Sequence, residues 1–353
     1  MTKVPSSHPT PVILVTGFLG SGKTTLLQRL LTDPAMNRAA VLINEFGEIG
    51  LDHHLLDRID DTVVLMKSGC VCCTVRGEVA DALGNLNSLR ARGEIDFDRV
   101  VIETTGLADP YPILQTLRAH PVLRSHVIAG GVVTTVDAVN AESQLSGRAE
   151  AVHQIAAADR IVLTKTDLVD ARAVSSLRDR LIKVNPSAPV VTGADPVSEI
   201  LAELSPARSL LRTPGGAMGG AMGEGDPQRH HHDEAFGVST FSLVLDRPLN
   251  WTDFGVWLTL LLHRHGDKIF RVKGILAIAG EDRPVAIHGV QHLVHPPVHL
   301  PAWPDDDHRS RIVFIFRDLD PNRIKRSLVA FTDFGRKEAD HTSYGDPAPR
   351  VRI

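Results

Sequence analysis

Gly17-Phe18-Leu19-Gly20-Ser21-Gly22-Lys23-Thr24 follows the apolar run Val12-Ile13-Leu14-Val15 and precedes Thr25-Leu26-Leu27-Gln28-Arg29-Leu30-Leu31. A strand, a glycine-rich loop and a helix in that order are the setting in which G-x-x-x-x-G-K-[ST] cradles the phosphates of a nucleoside triphosphate. Gly17, Gly20 and Gly22 let the backbone bend so that its N–H groups face phosphate oxygens. The helix that follows adds its positive end to the same anion. Lys23 is expected to reach the β and γ phosphates, and the Thr24 hydroxyl to ligate Mg²⁺. The nucleotide contacts expected here are Gly17, Gly20, Ser21, Gly22, Lys23, Thr24 and Thr25.

Outward from this loop, short apolar strands alternate with helical segments over residues 11–205. The strands expected are Val12–Val15, Ala40–Ile43, Val63–Met66, Val100–Ile102, Val127–Val136, Ile161–Leu163 and Val190–Thr192, with helices over Val75–Arg92 and Ala171–Val184 among the segments between them. Such a pattern predicts an α/β fold: a P-loop NTPase domain whose mostly parallel sheet is covered by helices on both faces. Its ligand site is expected at the carboxyl ends of the strands.

Residues 206–236 are rich in glycine and end in His230-His231-His232-Asp233-Glu234, a composition that reads as a flexible linker. The three histidines either capture metal weakly or are ordinary linker residues. A smaller α+β domain is expected over 237–334, with strands at Val238–Leu245, Ile269–Ala279, Val285–Val290 and Ile312–Phe316 and helices at Trp251–His263 and Pro321–Phe331. Residues 1–10 and 335–353 read as a polar arm and a polar tail. His288, His292, His295 and His299 are dense in the second domain, but the prolines between them argue against a single ligand face, so solvated or core histidines are expected.

Composition narrows the classes of partner. The 353 residues carry a net charge of −4 and no long basic stretch, which argues against nucleic acid. No apolar run approaches the roughly 20 residues of a membrane span, and the N-terminal residues lack a signal-peptide core. A cytoplasmic protein is expected. All three cysteines lie within four residues, so a disulfide scaffold is not expected.

Three further segments carry chemistry. Thr164-Lys165-Thr166-Asp167 follows the strand Ile161–Leu163. A carboxylate at Asp167 can accept from the ring N–H and the exocyclic amine of guanine, a donor pair that adenine lacks, while the Lys165 stem can lie over the base. Glu103-Thr104-Thr105-Gly106 ends the strand Val100–Ile102. Glu103 is expected to hold Mg²⁺ through water or to orient the attacking water, unless it is a solvated strand-end acid, and Gly106 to offer a backbone N–H to the γ phosphate. Asn44–Asp52, with Glu48 and Asp52, suits a loop that responds to the γ phosphate, although its acids also suit helix caps.

Cys70-Val71-Cys72-Cys73 is the second strong signal. Three thiolates this close can converge on one soft or borderline cation and leave a fourth position open, which suits a metal that is handed on. Zn²⁺ is favoured, with Co²⁺ next, and Glu48 is counted with the thiolates as a metal ligand. A redox pair at Cys70 and Cys73 is the alternative, but it leaves Cys72 without a role.

Together, Gly17–Thr24, Asn44–Gly47, Gly69–Thr74, Glu103–Gly106 and Thr164–Asp167 resemble the CobW-like P-loop GTPases. The resemblance continues through Arg271-Val272-Lys273-Gly274-Ile275-Leu276 and His288-Gly289-Val290-Gln291, and so covers nearly the whole chain. It implies slow GTP hydrolysis with Lys23 and Glu103 in the catalytic site, Mg²⁺ at Thr24, and a transition metal at Cys70, Cys72 and Cys73. It also implies delivery of that metal to a client metalloprotein, or metal buffering without a dedicated client. A P-loop phosphotransferase fits less well, because the cysteines then have no use. A homodimer is compatible with the sequence. The resemblance departs at Thr164, where the usual guanine-binding motif carries Asn, whose amide braces neighbouring loops; weaker nucleotide binding is expected from the change.

Overall fold

The computed structural model describes residues 9–43, 63–65, 75–145, 148–202, 204, 230–233 and 237–342, with side chains described except at 63–65, 75–76, 230–233, 293 and 333–342. Two compact units divide the chain: Met1–Ala221 with His231–Thr240, and Met222–His230 with Phe241–Ile353.

In the first unit, strands β1 (Thr10–Gly17), β2 (Ala39–Ile43), β3 (Val63–Leu65), β4 (Arg99–Glu103), β5 (Val127–Asp137), β6 (Arg160–Thr164) and β7 (Val190–Thr192) form one sheet. Their order across it is β3-β2-β4-β1-β5-β6-β7, and every neighbouring pair is parallel. Helices α1 (Lys23–Leu31), α2 (Val75–Ala91), α3 (Pro110–Ala119), α4 (Ala141–Leu145), α5 (Ala149–Ala157), α6 (Ala171–Val184) and α7 (Val197–Ile200) lie between the strands. Side chains alternate along β1. Ile13 and Val15 join Leu26, Leu27 and Leu30 of α1 and Val197 and Ile200 of α7 in one apolar cluster. Val12 and Leu14 therefore serve the opposite face, where α5 also contacts β1. Burial of both faces explains why the strands read as continuous apolar runs. Each fully buried leucine, such as Leu14, Leu27, Leu30 and Leu42, contributes about 1.5–3 kcal/mol through removal from water.

β1 sits between β4 and β5, with Val15 opposite Glu103 and Gly17 opposite Thr135. The order runs outward in opposite directions on the two sides of β1, so a crevice opens at the carboxyl ends of β1, β4, β5 and β6. The phosphate loop, Glu103, Asp137 and Thr164 all fall at those ends.

The second sheet has the order β12-β11-β10-β14-β9-β8, with β13 also pairing β11. The strands are β8 (His230–Asp233), β9 (Val238–Leu245), β10 (Ile269–Leu276), β11 (Val285–Val290), β12 (Leu293–Val294), β13 (Val298–His299) and β14 (Ser310–Phe316). β10 pairs antiparallel with both β11 and β14. Alternate residues Phe241 and Leu243, Val272 and Leu276, Val285 and Ile287, and Ile312, Phe314 and Phe316 build one core face. Helices α8 (Trp251–His265) and α9 (Pro321–Thr342) cover it with Phe254, Trp257, Leu258, Leu262, Ile324 and Leu328. Trp257 meets Phe314 edge-on at 6.2 Å and donates from Nε1 to the Ser327 hydroxyl at 2.9 Å, so the largest core side chain also has its polar atom satisfied.

Three segments differ from the sequence reading, one of them β10, which ends at Leu276 rather than Ala279. His230–Asp233, read as linker, form the edge strand β8, and α9 continues to Thr342 rather than ending near Phe331. No helix among the described residues is long and apolar enough to cross a membrane.

Candidate nucleotide site

β1 ends at Gly17 with φ 143°, and the loop turns through Gly20 and Gly22 at φ 71° and 83° before α1 begins at Lys23. Gly17 cannot carry a side chain: a Cβ there would lie 2.3 Å from Thr135 Oγ1 and 2.5 Å from the Thr135 carbonyl oxygen. This crowding is the contact by which β5 shapes the loop. The Ser21 and Thr135 hydroxyls hydrogen-bond at 2.7 Å, and Thr135 Oγ1 donates to the Thr16 carbonyl at 3.2 Å. The Ser21 side chain, fully buried, thus anchors the loop to the sheet. Thr25 is exposed on the first turn of α1. That turn holds no acidic residue, and Gly22 gives it no side-chain cap, so the positive end of the helix faces the loop without a carboxylate to neutralise it. Lys23 is 9% exposed, and its Nζ donates to the Phe18 carbonyl at 3.1 Å, which folds the ammonium across the loop.

The β4 end completes the phosphate side. Thr24 Oγ1 donates to Glu103 Oε1 at 2.7 Å, and Glu103 is 5% exposed. Thr104 N–H donates to the Val15 carbonyl at 3.0 Å, and its hydroxyl donates to Thr16 Oγ1 at 2.9 Å. Gly106 approaches the phosphate loop so closely that a Cβ would lie 2.6 Å from the Leu19 backbone nitrogen. Gln154 of α5, buried, fixes this turn by donating from Nε2 to the carbonyls of Gly106 and Ala108 at 3.2 and 3.0 Å. Lys23, Thr24, Glu103 and Gly106, four residues from two distant segments, are therefore brought together at one point.

The base side is built on β6. Lys165 adopts a left-handed conformation at φ 55° and leads into the short turn Thr166–Leu168, with Asp167 exposed. The Thr164 hydroxyl donates to the Ser21 carbonyl at 2.8 Å and also lies 3.2 Å from the Val136 carbonyl. A hydroxyl at this position thus does tie the base segment to the phosphate loop, the brace expected to be lost with Asn.

Sequence reasoning missed Asp137, although it ends β5 as Glu103 ends β4. It is 1% exposed, and its carboxylate accepts from Lys165 Nζ at 2.6 Å, from Asn140 Nδ2 at 2.9 Å, and from the N–H groups of Val139 and Asn140 at 2.8 and 3.3 Å. Burial pushes its pKa up, but Lys165, the Asn140 side chain and the two backbone N–H groups outweigh that and hold it below the ordinary carboxylate value. A carboxylate with a lowered folded pKa stabilises the fold above its unfolded pKa, and that stability is lost as pH falls through the folded value. Asp137→Asn is therefore expected to cost about 1–3 kcal/mol near neutral pH. Urea denaturation of both proteins across pH should show the gap closing only below about pH 4; a gap that does not change with pH would refute a charged role.

The remaining expectations resolve unevenly. Asn44–Asp52, including Glu48, and Cys70, Cys72 and Cys73 lie outside the described residues. Among the described residues no group of three or more His, Cys, Asp or Glu could hold a metal ion. His288 and His295 stack at 4.0 Å, and His292 bonds the Leu262 carbonyl and Asp267 Oδ1, each at 2.9 Å.

A glycine-built anion cradle at the switch point of a parallel sheet, with a buried Lys, a Thr–Glu pair and a strand-end base segment, defines a P-loop nucleotide-binding protein. Comparison with known proteins narrows the class. Residues 11–192 match the CobW/HypB/UreG nucleotide-binding domain, and residues 238–332 match the cobalamin synthesis protein cobW C-terminal domain. The chain is 37% identical over 323 residues to the zinc chaperone YjiA of Escherichia coli, covering 91% of this chain and 98% of that protein. It is 29% identical over 357 residues to the zinc chaperone CobW of Pseudomonas aeruginosa, covering 90% of each. The crystal structure of Zn(II)-bound YjiA GTPase from E. coli superposes with a TM-score of 0.70 at 32% identity, covering 92% of this chain and 99% of that one. The chain belongs to the CobW family.

Proposed function

We propose that this protein is a GTP-hydrolysing metallochaperone that binds zinc at Cys70, Cys72 and Cys73 and yields it to a client metalloprotein according to its nucleotide state. The observation that carries this reading is the presence in one chain of the Lys23–Thr24–Glu103 cradle and of Cys70-Val71-Cys72-Cys73. The likeness to zinc chaperones over both matched regions supports it.

On this reading Lys23 neutralises charge on the β and γ phosphates, and the N–H groups of the loop and α1 hold their oxygens. Thr24 Oγ1 and Glu103 are hard oxygen donors 2.7 Å apart, which suits Mg²⁺. Thr24 would hold Mg²⁺ directly and Glu103 through water; the ion supplies neutralisation of the phosphate charge. Glu103 orients the water that attacks the γ phosphorus as the bond to the β-phosphate oxygen breaks. Gly106, pressed on Leu19, presents its N–H to the γ phosphate. Asp167 reads guanine, with Lys165 held in place by Asp137.

Residues 11–205 form the GTPase domain, while residues 237–334, with the edge strand His230–Asp233 added to their sheet, recognise the client. Zinc is cargo, held by the three thiolates with Glu48 nearby, and a cytoplasmic setting keeps those thiols reduced. The nucleotide and the metal are then coupled sites, each biasing the other by the same free energy. The test is zinc affinity by competition with a chromophoric chelator, in GDP and in a non-hydrolysable GTP analogue with Mg²⁺. A difference of about fivefold or more is expected. Equal affinity in the two states would remove nucleotide gating from the reading.

A further inference from the structure

Arg29, on the last turn of α1, lies far in sequence from the residues expected to read the base. Its guanidinium donates to three successive backbone carbonyls of the loop after β7: Nη1 to Gly193, and Nη2 to Ala194 and Asp195, the Ala194 bond at 3.1 Å. That loop abuts the base segment. Gly193 N–H donates to the Leu163 carbonyl at 2.7 Å, and a Cβ on Gly193 would lie 3.9 Å from Thr164 Cα. The loop is closed on itself by Asp195, whose Oδ2 accepts from Thr192 N–H at 2.7 Å, while Asp195 N–H donates to the Thr192 carbonyl at 3.1 Å. Three carbonyls turned toward one cation is an unusual concentration of acceptors. A planar fork spreads its donors over separate nitrogens in fixed directions that match acceptors strung along a loop, whereas an ammonium offers its three donors from a single nitrogen.

The helix that carries Arg29 is the one whose first turn carries Lys23 and Thr24. One rigid element of nine residues therefore joins the phosphate cradle at its start to the wall beside the base at its end. We propose that Arg29 is a positioning residue for guanine selectivity: it fixes the Gly193–Asp195 loop against Thr164–Asp167 so that a purine placed over Lys165 meets a preformed edge. This rests on the reading of Thr164–Asp167 as the guanine site. It adds a determinant that lies outside the base segment and touches no ligand atom.

The test compares the full chain with Arg29→Ala, Arg29→Lys and Asp167→Asn in equilibrium binding of GDP, inosine diphosphate, xanthosine diphosphate and inorganic tripolyphosphate, all with Mg²⁺. Inosine lacks the exocyclic amine, so the GDP-to-inosine ratio reports how well the base edge is engaged. Tripolyphosphate reports the phosphate cradle alone. Arg29→Ala is expected to weaken GDP about tenfold and to shrink the GDP-to-inosine ratio, while tripolyphosphate binding stays within about twofold. Arg29→Lys, which keeps the charge and the stem, is expected to follow Arg29→Ala and guards against simple misfolding of the alanine variant. Equal weakening of GDP and tripolyphosphate, or an unchanged ratio in both Arg29 variants, would overturn the proposal. Asp167→Asn is judged separately. It should shift preference from guanine toward xanthine, and failure to do so would remove the base-site reading itself, whatever Arg29 does.

Discussion

Lys23→Ala is expected to lower kcat/KM for GTP hydrolysis by about 10²–10³, the range seen when one preorganised group that stabilises transition-state charge is removed. Lys23 is 9% exposed, and its ammonium is folded across the loop by its bond to the Phe18 carbonyl. In so dry a setting its charge acts on a phosphate with little screening. The fold should tolerate the change, because the loop is held independently by Ser21, Thr135 and Thr16. Phosphate release under steady-state and single-turnover conditions, beside a thermal melt, separates a lost catalytic charge from a lost fold. Lys23→Arg should not restore activity, since the planar fork is larger than the ammonium and its donors point in fixed directions. A variant with kcat/KM within twofold of the parent would place Lys23 away from the reacting phosphates.

The second large effect concerns the thiolates. Replacing Cys70, Cys72 and Cys73 together by serine is expected to weaken zinc binding by at least on the order of a thousandfold, because three thiolate bonds carry most of the free energy of such a site. With cobalt as a probe, the charge-transfer absorption that marks thiolate ligation should vanish. GDP affinity measured without transition metal should remain, as the phosphate cradle is built from β1, α1, β4 and β5. Retention of tight zinc binding in the triple variant would move the metal to other ligands. Single replacements should weaken binding by smaller steps, with the remaining thiolates still able to hold the ion.

Much of the fold was legible where burial is two-sided and turns are local. The bounds of α6, β9 and β11 agree with the periodicity, since α6 stops at Asn185, β9 lies between Gly237 and Asp246, and β11 opens after Pro284. α3 was harder to see. Pro110 and Pro112 look like breakers, yet Pro110 opens the helix and Asp109 caps it by accepting from Tyr111 N–H at 2.9 Å. β8 was hidden because three histidines after a glycine-rich stretch have no strand-like alternation, and only its place at the sheet edge makes it a strand. In the site, Gly17–Thr24 and Glu103 declared themselves through residue type and spacing. Thr164 was legible as the start of the base segment but its bracing bond was not, because a hydroxyl can do part of an amide's bracing only if the Ser21 carbonyl comes within reach. Arg29 was invisible for a related reason: its partners lie 164 to 166 residues further along the chain, and their acceptors are backbone atoms that carry no residue signature.

The central place of β1 has a consequence for how the protein is made. The strand that carries the phosphate loop leaves the ribosome well before the Thr135 carbonyl and hydroxyl that crowd Gly17, which emerge more than a hundred residues later. At ordinary elongation rates that interval is on the order of ten seconds. Until β4 emerges, partway through it, a nascent chain exposes an apolar strand with neither lateral neighbour in place, so the period of greatest need for a chaperone precedes any ability to bind nucleotide. Cellular GTP can then stabilise the newborn protein only after β5 has been synthesised, as a ligand of the finished sheet and not as a guide to its assembly.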